Sequence, residues 1–298
     1  MDYTSLLLNN QLYVLIVGAI LLVSDLVKRY GVFMPFYRWL IARVKSKRLL
    51  VAMISAISGI LPIQGRVAVS AGVLNTLAPS SGPGRSVYGI IDYLATHHYY
   101  FWSPLEKTVL LPMAVLGLTY IGFITVIWPL LLTSLLVTCF YIFVVLKEDD
   151  IIIDLEHSDD DHQHTFNWQN YLVTLGAVFV TIFLGNVVSM YEPQITAAVQ
   201  SLRGLLPIAL LVGFLSSFIL GSSSKFAGYT ALSASVFGVK FLPIFFAVDY
   251  AAYMFSPAHK CLVIGSGYFD TPLTEYFKAI GILCGSIFVV ALLLTLLP

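Results

Sequence analysis

Long apolar runs separated by short polar segments make up almost the whole chain. Crossing a bilayer takes about 20 apolar residues in helical conformation. Four runs are long enough for this: 9–27, 119–146, 168–190 and 273–297. Two further stretches, 86–118 and 240–267, are interrupted by Ser103-Pro104 and Ser256-Pro257. Because proline removes a backbone hydrogen bond and disfavours continuous helix, we expect two broken helices.

Two other apolar stretches, 49–80 and 205–238, each contain a polar tip. The first tip, Gly59 to Gly65, holds Pro62, and the second is Gly221 to Lys225. The arms on either side are shorter than the roughly 20 residues that a span requires. We interpret both stretches as re-entrant helical hairpins, whose tips need protein or a watery cavity to satisfy the backbone.

Each half of the chain therefore contains three crossings, one of them broken, and one hairpin. The halves are 1–147 and 168–298, joined by a linker over 148–167. Three is an odd number, so the second half is inverted relative to the first. The predicted fold is an all-α polytopic membrane protein built as an inverted repeat, a pattern typical of transporters that bind substrate near the midplane.

Composition supports a membrane location. The chain of 298 residues is 58% hydrophobic and 11% charged, whereas soluble domains carry about 25% charged residues. No segment resembles a nucleic-acid-binding motif, so no nucleic-acid partner is expected, and the bilayer is the expected environment. The N-terminal run lacks a basic region and a small-residue cleavage site, so it predicts a spanning helix rather than a signal peptide.

Charge placement sets the expected orientation in the cell membrane. Seven Lys/Arg fall between Lys28 and Arg48, which predicts a cytoplasmic amphipathic helix or a simple basic loop. Eight of the sixteen acids lie in the 148–167 linker, which we also place in the cytoplasm, with both termini outside. Its His157, His162 and His164 are candidate metal ligands, but a solvated charge run is the interpretation we favour.

The polar residues at the tips and breaks are the candidate substrate site. Broken helices expose unpaired N–H groups that attract anions. The predicted substrate-binding residues are Gln64, Gly65, Arg66, Ser222, Ser223, Ser224, Lys225, Ser103, Ser256 and His259. Arg66 and Lys225 favour an anionic ligand. A charged side chain inside a bilayer is costly, so such residues usually have a functional role. The alternative is that both side chains snorkel to the headgroups or pair with Asp92 and Asp249.

Asp92 and Asp249 are the predicted coupling residues, binding either a proton or a sodium ion. Their alternative role is a salt bridge to a nearby lysine. The pair His97-His98 either titrates near neutral pH or belongs to an interfacial aromatic belt with Tyr99, Tyr100 and Trp102. The three cysteines show no CxxC spacing, so neither a metal site nor a disulfide framework is indicated. No cofactor is predicted beyond a sodium ion or proton as coupling ion.

These segments resemble the ion transporter superfamily of divalent-anion/sodium symporters, citrate and gluconate permeases and arsenical pumps. Within it they are most similar to an integral membrane family of unassigned function, the domain-of-unknown-function family numbered 401. The similarity rests on Ser58-Gly59, Leu61-Pro62, Gly65, Ser70-Ala71, Ile91, Tyr93, His97, Trp102, Pro104-Leu105, Ser256-Pro257, His259, Cys261-Leu262 and Tyr268-Phe269.

The resemblance implies an elevator mechanism, in which hairpins and broken helices slide against a scaffold, usually in a homodimer. This sequence departs from the pattern at Arg66, where a second glycine is expected, and at Asp92, where an amide is expected. The chain is also shorter than is usual in the superfamily, and the Ser-Asn-Thr tip of the dicarboxylate symporters is absent. The missing tip motif weighs against dicarboxylate specificity and sodium coupling.

The sequence therefore predicts a secondary active transporter of a small organic anion or oxyanion, coupled to protons or sodium. The alternative is a translocase for a lipid-linked phosphate such as a polyprenyl-phosphate carrier, whose headgroup would suit the same basic residues. An enzyme is not expected, because no nucleophile and base occur at convincing spacing.

Overall fold

A computed structural model describes residues 33–60, 66–104, 106–152, 205–221, 223–256 and 259–296. Within these ranges the fold is all-α, with eleven α-helices and no strand. The helices are α1 (Phe33–Arg43), α2 (Lys47–Ile60), α3 (Arg66–Asn75), α4 (Pro83–His97), α5 (Lys107–Leu116), α6 (Tyr120–Phe140), α7 (Leu206–Leu220), α8 (Ser223–Phe237), α9 (Leu242–Phe255), α10 (Lys260–Phe269) and α11 (Leu273–Leu296). The predicted spans 9–27 and 168–190 lie outside the described residues.

Local sequence explains where several helices begin and end. Pro83 opens α4, where its missing N–H would be unpaired in any case. The Thr119 side chain accepts a hydrogen bond from the Gly122 N–H and caps α6. Gly117 and Gly221 end α5 and α7 in the left-handed conformation that glycine adopts without steric cost. The hairpin and broken-helix stretches therefore divide into separate short helices.

Both Ser-Pro stretches interrupt a helix, but at different points. α9 ends at Phe255, next to Ser256, and α10 begins at Lys260. In the first stretch α4 already ends at His97, six residues before Ser103, and a 3-10 turn, His98–Phe101, follows. The break is therefore longer than Ser103-Pro104 alone. The four residues of this turn match the difference between the Asp92-to-Ser103 and Asp249-to-Ser256 gaps, 11 and 7 residues.

Helix packing repeats between the two halves. α2 and α3 pack together and on α4, and α7 and α8 pack together and on α9. The inner arm α3 also packs on α10, while the inner arm α8 packs on α5. Each inner arm thus contacts the second part of the interrupted helix from the other half. α6 and α11 pack on each other, and each also contacts α4 and α9.

Two of the described helices, Tyr120–Val145 and Leu273–Leu296, are long and apolar enough to cross a membrane. The first consists of α6 and a following π-helical turn, Tyr141–Val145. Large apolar side chains on α6, α7 and α11 are exposed, including Ile121, Leu136, Ile219, Val289, Leu293 and Leu296. These helices present apolar surface outward as well as to the core, which a bilayer or a protein partner would cover.

The basic segment and the start of the acidic linker lie at the same end of the molecule. Lys47 Nζ donates to the Ile151 carbonyl at 2.9 Å, and Arg48 Nε donates to the Leu146 carbonyl at 3.1 Å. The Ile152 N–H donates to the Leu77 carbonyl at 2.9 Å, which ties the linker to the end of the first hairpin. The rest of the linker lies outside the described residues.

Candidate functional site

Five aromatic side chains meet where the two interrupted helices come together. Tyr93, His97 and Tyr100 come from α4 and its 3-10 turn, and Tyr253 and His259 flank the second break. We call these five the His–Tyr cluster. The spacing of Tyr93 and His97 places both on one face of α4. All five are buried, His97 to 1% and His259 to 2% exposure.

Hydrogen bonds join the two halves through this cluster. His97 Nε2 lies 3.1 Å from His259 Nε2, and the Tyr100 and Tyr253 hydroxyls are 2.8 Å apart. The Tyr93 hydroxyl donates to the Met254 carbonyl at 3.0 Å and lies 2.9 Å from His259 Nδ1. Residues more than 150 positions apart therefore share one polar core.

Burial tests the two roles predicted for His97 and His98, which were titration near neutral pH and membership of an interfacial aromatic belt. His97, His98, Tyr99 and Tyr100 are each at most 6% exposed. The aromatic-belt alternative is therefore wrong for these four, because a belt residue faces the membrane surface. His98 Nδ1 accepts from Trp102 Nε1 at 3.0 Å, which fixes the orientation of its ring.

The two predicted coupling residues are buried among neutral groups. Thr230 on α8 donates to Asp249 Oδ2 at 2.8 Å. Asp249 packs against α7 at Gly213, where a Cβ would lie 2.5 Å from its Oδ1. Within the described part of the chain, no cation forms an ion pair with this carboxyl.

Asp92 occupies the corresponding place in the first half. It is fully buried, and neither carboxyl oxygen has a hydrogen-bond partner among the described residues. Its polar neighbour is the hydroxyl of Ser70 on α3. Each aspartate therefore lies next to a hydroxyl residue of the inner hairpin arm, Ser70 for Asp92 and Thr230 for Asp249.

Near its tip, each hairpin contacts residues at or close to the helix break in the same half of the chain. The Ser256 hydroxyl donates to the Phe218 carbonyl at 2.6 Å, close to the end of α7. Gly59, close to the end of α2, lies against the carbonyl of Ala95 and His98. A Cβ at this position would be 2.4 Å from the Ala95 oxygen and 2.7 Å from His98 Nε2.

The predicted tip residues are only partly described. Gln64, Gly65 and Ser222 lie outside the described residues. Arg66 is the first residue of α3, and Ser223 is the first residue of α8, with Ser224 and Lys225 in its first turn. The second tip is therefore shorter than the irregular segment predicted from Gly221 to Lys225, because serine readily starts a helix. Ser103 is buried, and its carbonyl accepts from the Glu106 N–H at 3.0 Å.

Several described helices, including α3, α5, α8 and α10, carry a basic residue in their first turn. Arg66, Lys107, Lys225 and Lys260 stand in the first turns of α3, α5, α8 and α10. None of these turns contains an acidic residue, but Glu106 is the N-cap residue of α5, directly before Lys107. Free N–H groups make a helix start electropositive and favour acidic side chains there. The free N–H groups of a helix start can bind an anion, and a basic residue in the same turn adds positive charge there.

Three of these starts contact the His–Tyr cluster. The Thr108 hydroxyl at the start of α5 donates to the Tyr100 carbonyl at 2.6 Å. The Phe226 ring in α8 lies 6.2 Å from the Tyr253 ring. His259 is the residue immediately before α10. Helix starts from both halves therefore contact the cluster, and we take it as the candidate functional site.

No family model, no curated protein and no solved structure matches this chain in comparisons with known proteins. The resemblance to the ion transporter superfamily therefore stays a prediction.

Proposed function

We propose that this protein is a multi-pass membrane transporter that moves a small anionic solute by an elevator mechanism, coupled to protons or sodium. The observation that carries the proposal is the meeting of two interrupted helices at His97 and His259 among basic helix starts. The repeated packing of α2–α6 and α7–α11 supports an inverted repeat. The exposed apolar faces of α6, α7 and α11 support a bilayer environment.

The substrate in this proposal is an anion held by backbone and side-chain donors. Arg66 and Lys225 supply positive charge at the starts of the two inner arms, and Ser223 supplies a hydroxyl at the start of α8. Helix N–H groups at the start of α10 would add further donors for the anion. Gln64, Gly65, Ser222 and Ser224 stay candidates at the tips.

The coupling ion in this proposal binds at Asp92 or Asp249. A buried carboxylate without a cation carries a large desolvation cost, so each carboxyl must be accompanied by a proton or a cation when buried. Thr230 orients Asp249 for this role. Movement between the two membrane faces would alternate access to these carboxyls, and a homodimer is the proposed assembly.

Uptake into liposomes tests the proposal. The purified protein is first screened for stabilisation by citrate, succinate, sulfate and phosphate, with and without sodium at two pH values, because a ligand of the folded state raises its apparent stability. Uptake of the stabilising anion is then measured under an imposed proton or sodium gradient. We expect gradient-driven uptake that is lost in Lys225→Ala.

Lys278→Ala is the matched control, because Lys278 is exposed and contacts only Glu275 among the described residues, at 2.6 Å. Its uptake should equal that of the wild type. Gradient-independent flux, or full activity of Lys225→Ala, would contradict the proposal.

A further inference from the structure

We propose that His97, His259 and Cys261 bind a divalent transition-metal ion such as Zn²⁺ where the two interrupted helices meet. One ligand atom from each of the three side chains lies within 4.8 Å of the others. His97 ends α4, whereas His259 and Cys261 flank the first residue of α10. The site joins both halves of the fold and does not depend on the proposed transport activity.

Hydrogen-bond directions place two lone pairs face to face. A carbonyl oxygen only accepts, so His97 Nδ1, which contacts the Tyr93 carbonyl, carries a hydrogen. The Tyr93 hydroxyl donates to the Met254 carbonyl and therefore accepts from His259 Nδ1. In both neutral rings the remaining lone pair is on Nε2, and these two atoms are 3.1 Å apart. A cation between them removes the repulsion.

The surroundings of the two imidazoles match those of metal ligands. A histidine that binds a metal through one ring nitrogen usually donates the other N–H to a carbonyl or another fixed acceptor, which sets the orientation of the ring. The Tyr93 carbonyl and the Tyr93 hydroxyl supply such acceptors here. Tyr93 is therefore a positioning residue for both rings.

Cys261 gives the site its preference among metals. It is the second residue of α10, and cysteine binds metals through its thiolate form. Two imidazoles and one thiolate suit Zn²⁺ and similar ions, whereas Mg²⁺ and Ca²⁺ prefer oxygen ligands. The chemical class of the ligand is therefore a borderline-soft divalent cation.

The distances require only a small adjustment. Tetrahedral zinc with bonds of about 2.0–2.3 Å separates its donor atoms by roughly 3.3–3.6 Å. The two nitrogens, 3.1 Å apart, are already close to this separation. The ligand atoms are at most 4.8 Å apart, and a shift of about 1 Å in the position of the Cys261 sulfur would bring them to the separation that zinc requires. Three protein ligands leave a fourth position for water or a small anion.

Titration with Co²⁺ followed by Zn²⁺ tests the site in the full-length protein, purified in detergent and treated with a chelator. We expect one equivalent of Co²⁺ with visible bands of tetrahedral geometry and a thiolate charge-transfer band, both abolished by Zn²⁺. Cys261→Ser should lose the charge-transfer band. Cys139→Ser is the matched control, because Cys139 is an exposed free cysteine on α6, and its spectrum should be that of the wild type.

Affinity measurements separate ligands from the positioning residue. His259→Asn should weaken Zn²⁺ binding by more than about 100-fold, whereas Tyr93→Phe, which removes an outer contact, should weaken it by about 10- to 100-fold. If His259→Asn does not fold, the nearly isosteric Cys261→Ser decides through its spectrum. Absence of Co²⁺ binding to the wild type, or an unchanged spectrum in Cys261→Ser, would overturn the proposal.

A proton between the two nitrogens is the competing occupant. If the site binds a metal, an NMR spectrum of the protein with ¹⁵N-labelled histidine should show two neutral rings whose Nε2 signals shift on addition of Zn²⁺. One imidazolium that is unchanged by Zn²⁺ would show that the contact holds a proton, and it would overturn the metal site.

Discussion

His97 and His259 point their Nε2 atoms at each other across 3.1 Å, although 162 residues separate them in the chain. Each belongs to a different interrupted helix, so this contact fixes the two halves of the protein against one another. The Tyr100–Tyr253 hydrogen bond, at 2.8 Å, joins the same two segments one turn away.

The Tyr100–Tyr253 hydrogen bond should contribute measurably to stability. Because both hydroxyls are buried, Tyr100→Phe or Tyr253→Phe leaves one without this partner, and we expect a loss of about 1 kcal/mol for each change. The double variant should lose less than the sum of the two. Thermal unfolding of the four proteins in detergent measures this coupling energy. Strictly additive losses would mean that the two hydroxyls do not interact.

Gly59 should be intolerant of any side chain. A Cβ there would be 2.4 Å from the Ala95 backbone oxygen, which cannot move without shifting α4. We expect Gly59→Ala to lower the free energy of unfolding by about 1–3 kcal/mol. Gly72→Ala on α3 is the control, because a Cβ there meets no atom within 4 Å. That change should be neutral or stabilising by up to about 1 kcal/mol, since alanine favours helix. Equal melting temperatures for the two variants would contradict the packing described at Gly59.

Asp249 should be required for ion coupling. Asparagine can still accept the hydrogen bond from Thr230, but it can neither release a proton nor carry a negative charge. We therefore expect Asp249→Asn to fold and bind the anion, while uptake no longer responds to the proton or sodium gradient. Liposome uptake with and without the gradient measures the difference.

The control for this prediction is Asp270→Asn. Asp270 is exposed and adopts a left-handed backbone conformation with φ 48°, which asparagine also tolerates. Its uptake should keep the gradient response of the wild type. A normal response in Asp249→Asn would assign coupling to another residue.

The outward face of α6 should be in contact with lipid. Leu136 is 60% exposed on this helix. A lysine near the centre of a spanning helix costs about 2.5–3.5 kcal/mol on insertion, whereas the same change on a water-exposed surface costs little. We expect Leu136→Lys to reduce the amount of protein recovered in the membrane fraction, with Leu136→Ala close to the wild type. Equal recovery of both variants would indicate that this face is not in the bilayer.

The sequence by itself determined the helical class and the approximate position of several described helices. Apolar runs bounded by proline, glycine and serine predicted helices within a few residues of α2, α3, α7, α8 and α11, because these signals act locally through backbone hydrogen bonds. The end of α4 at His97 was not predicted. It depends on a 3-10 turn whose side chains are held by tertiary contacts rather than by a local stop signal.

Only the tertiary structure decided which polar residues share a site. The sequence placed His259 among the substrate residues and left His97 between two roles, but nothing local indicated that their rings would touch. The contact arises because the first parts of both interrupted helices pack on the same pair, α6 and α11. Which side chains meet across the two halves depends on how whole helices pack against one another. The hydrophobic pattern along the chain is compatible with more than one such packing.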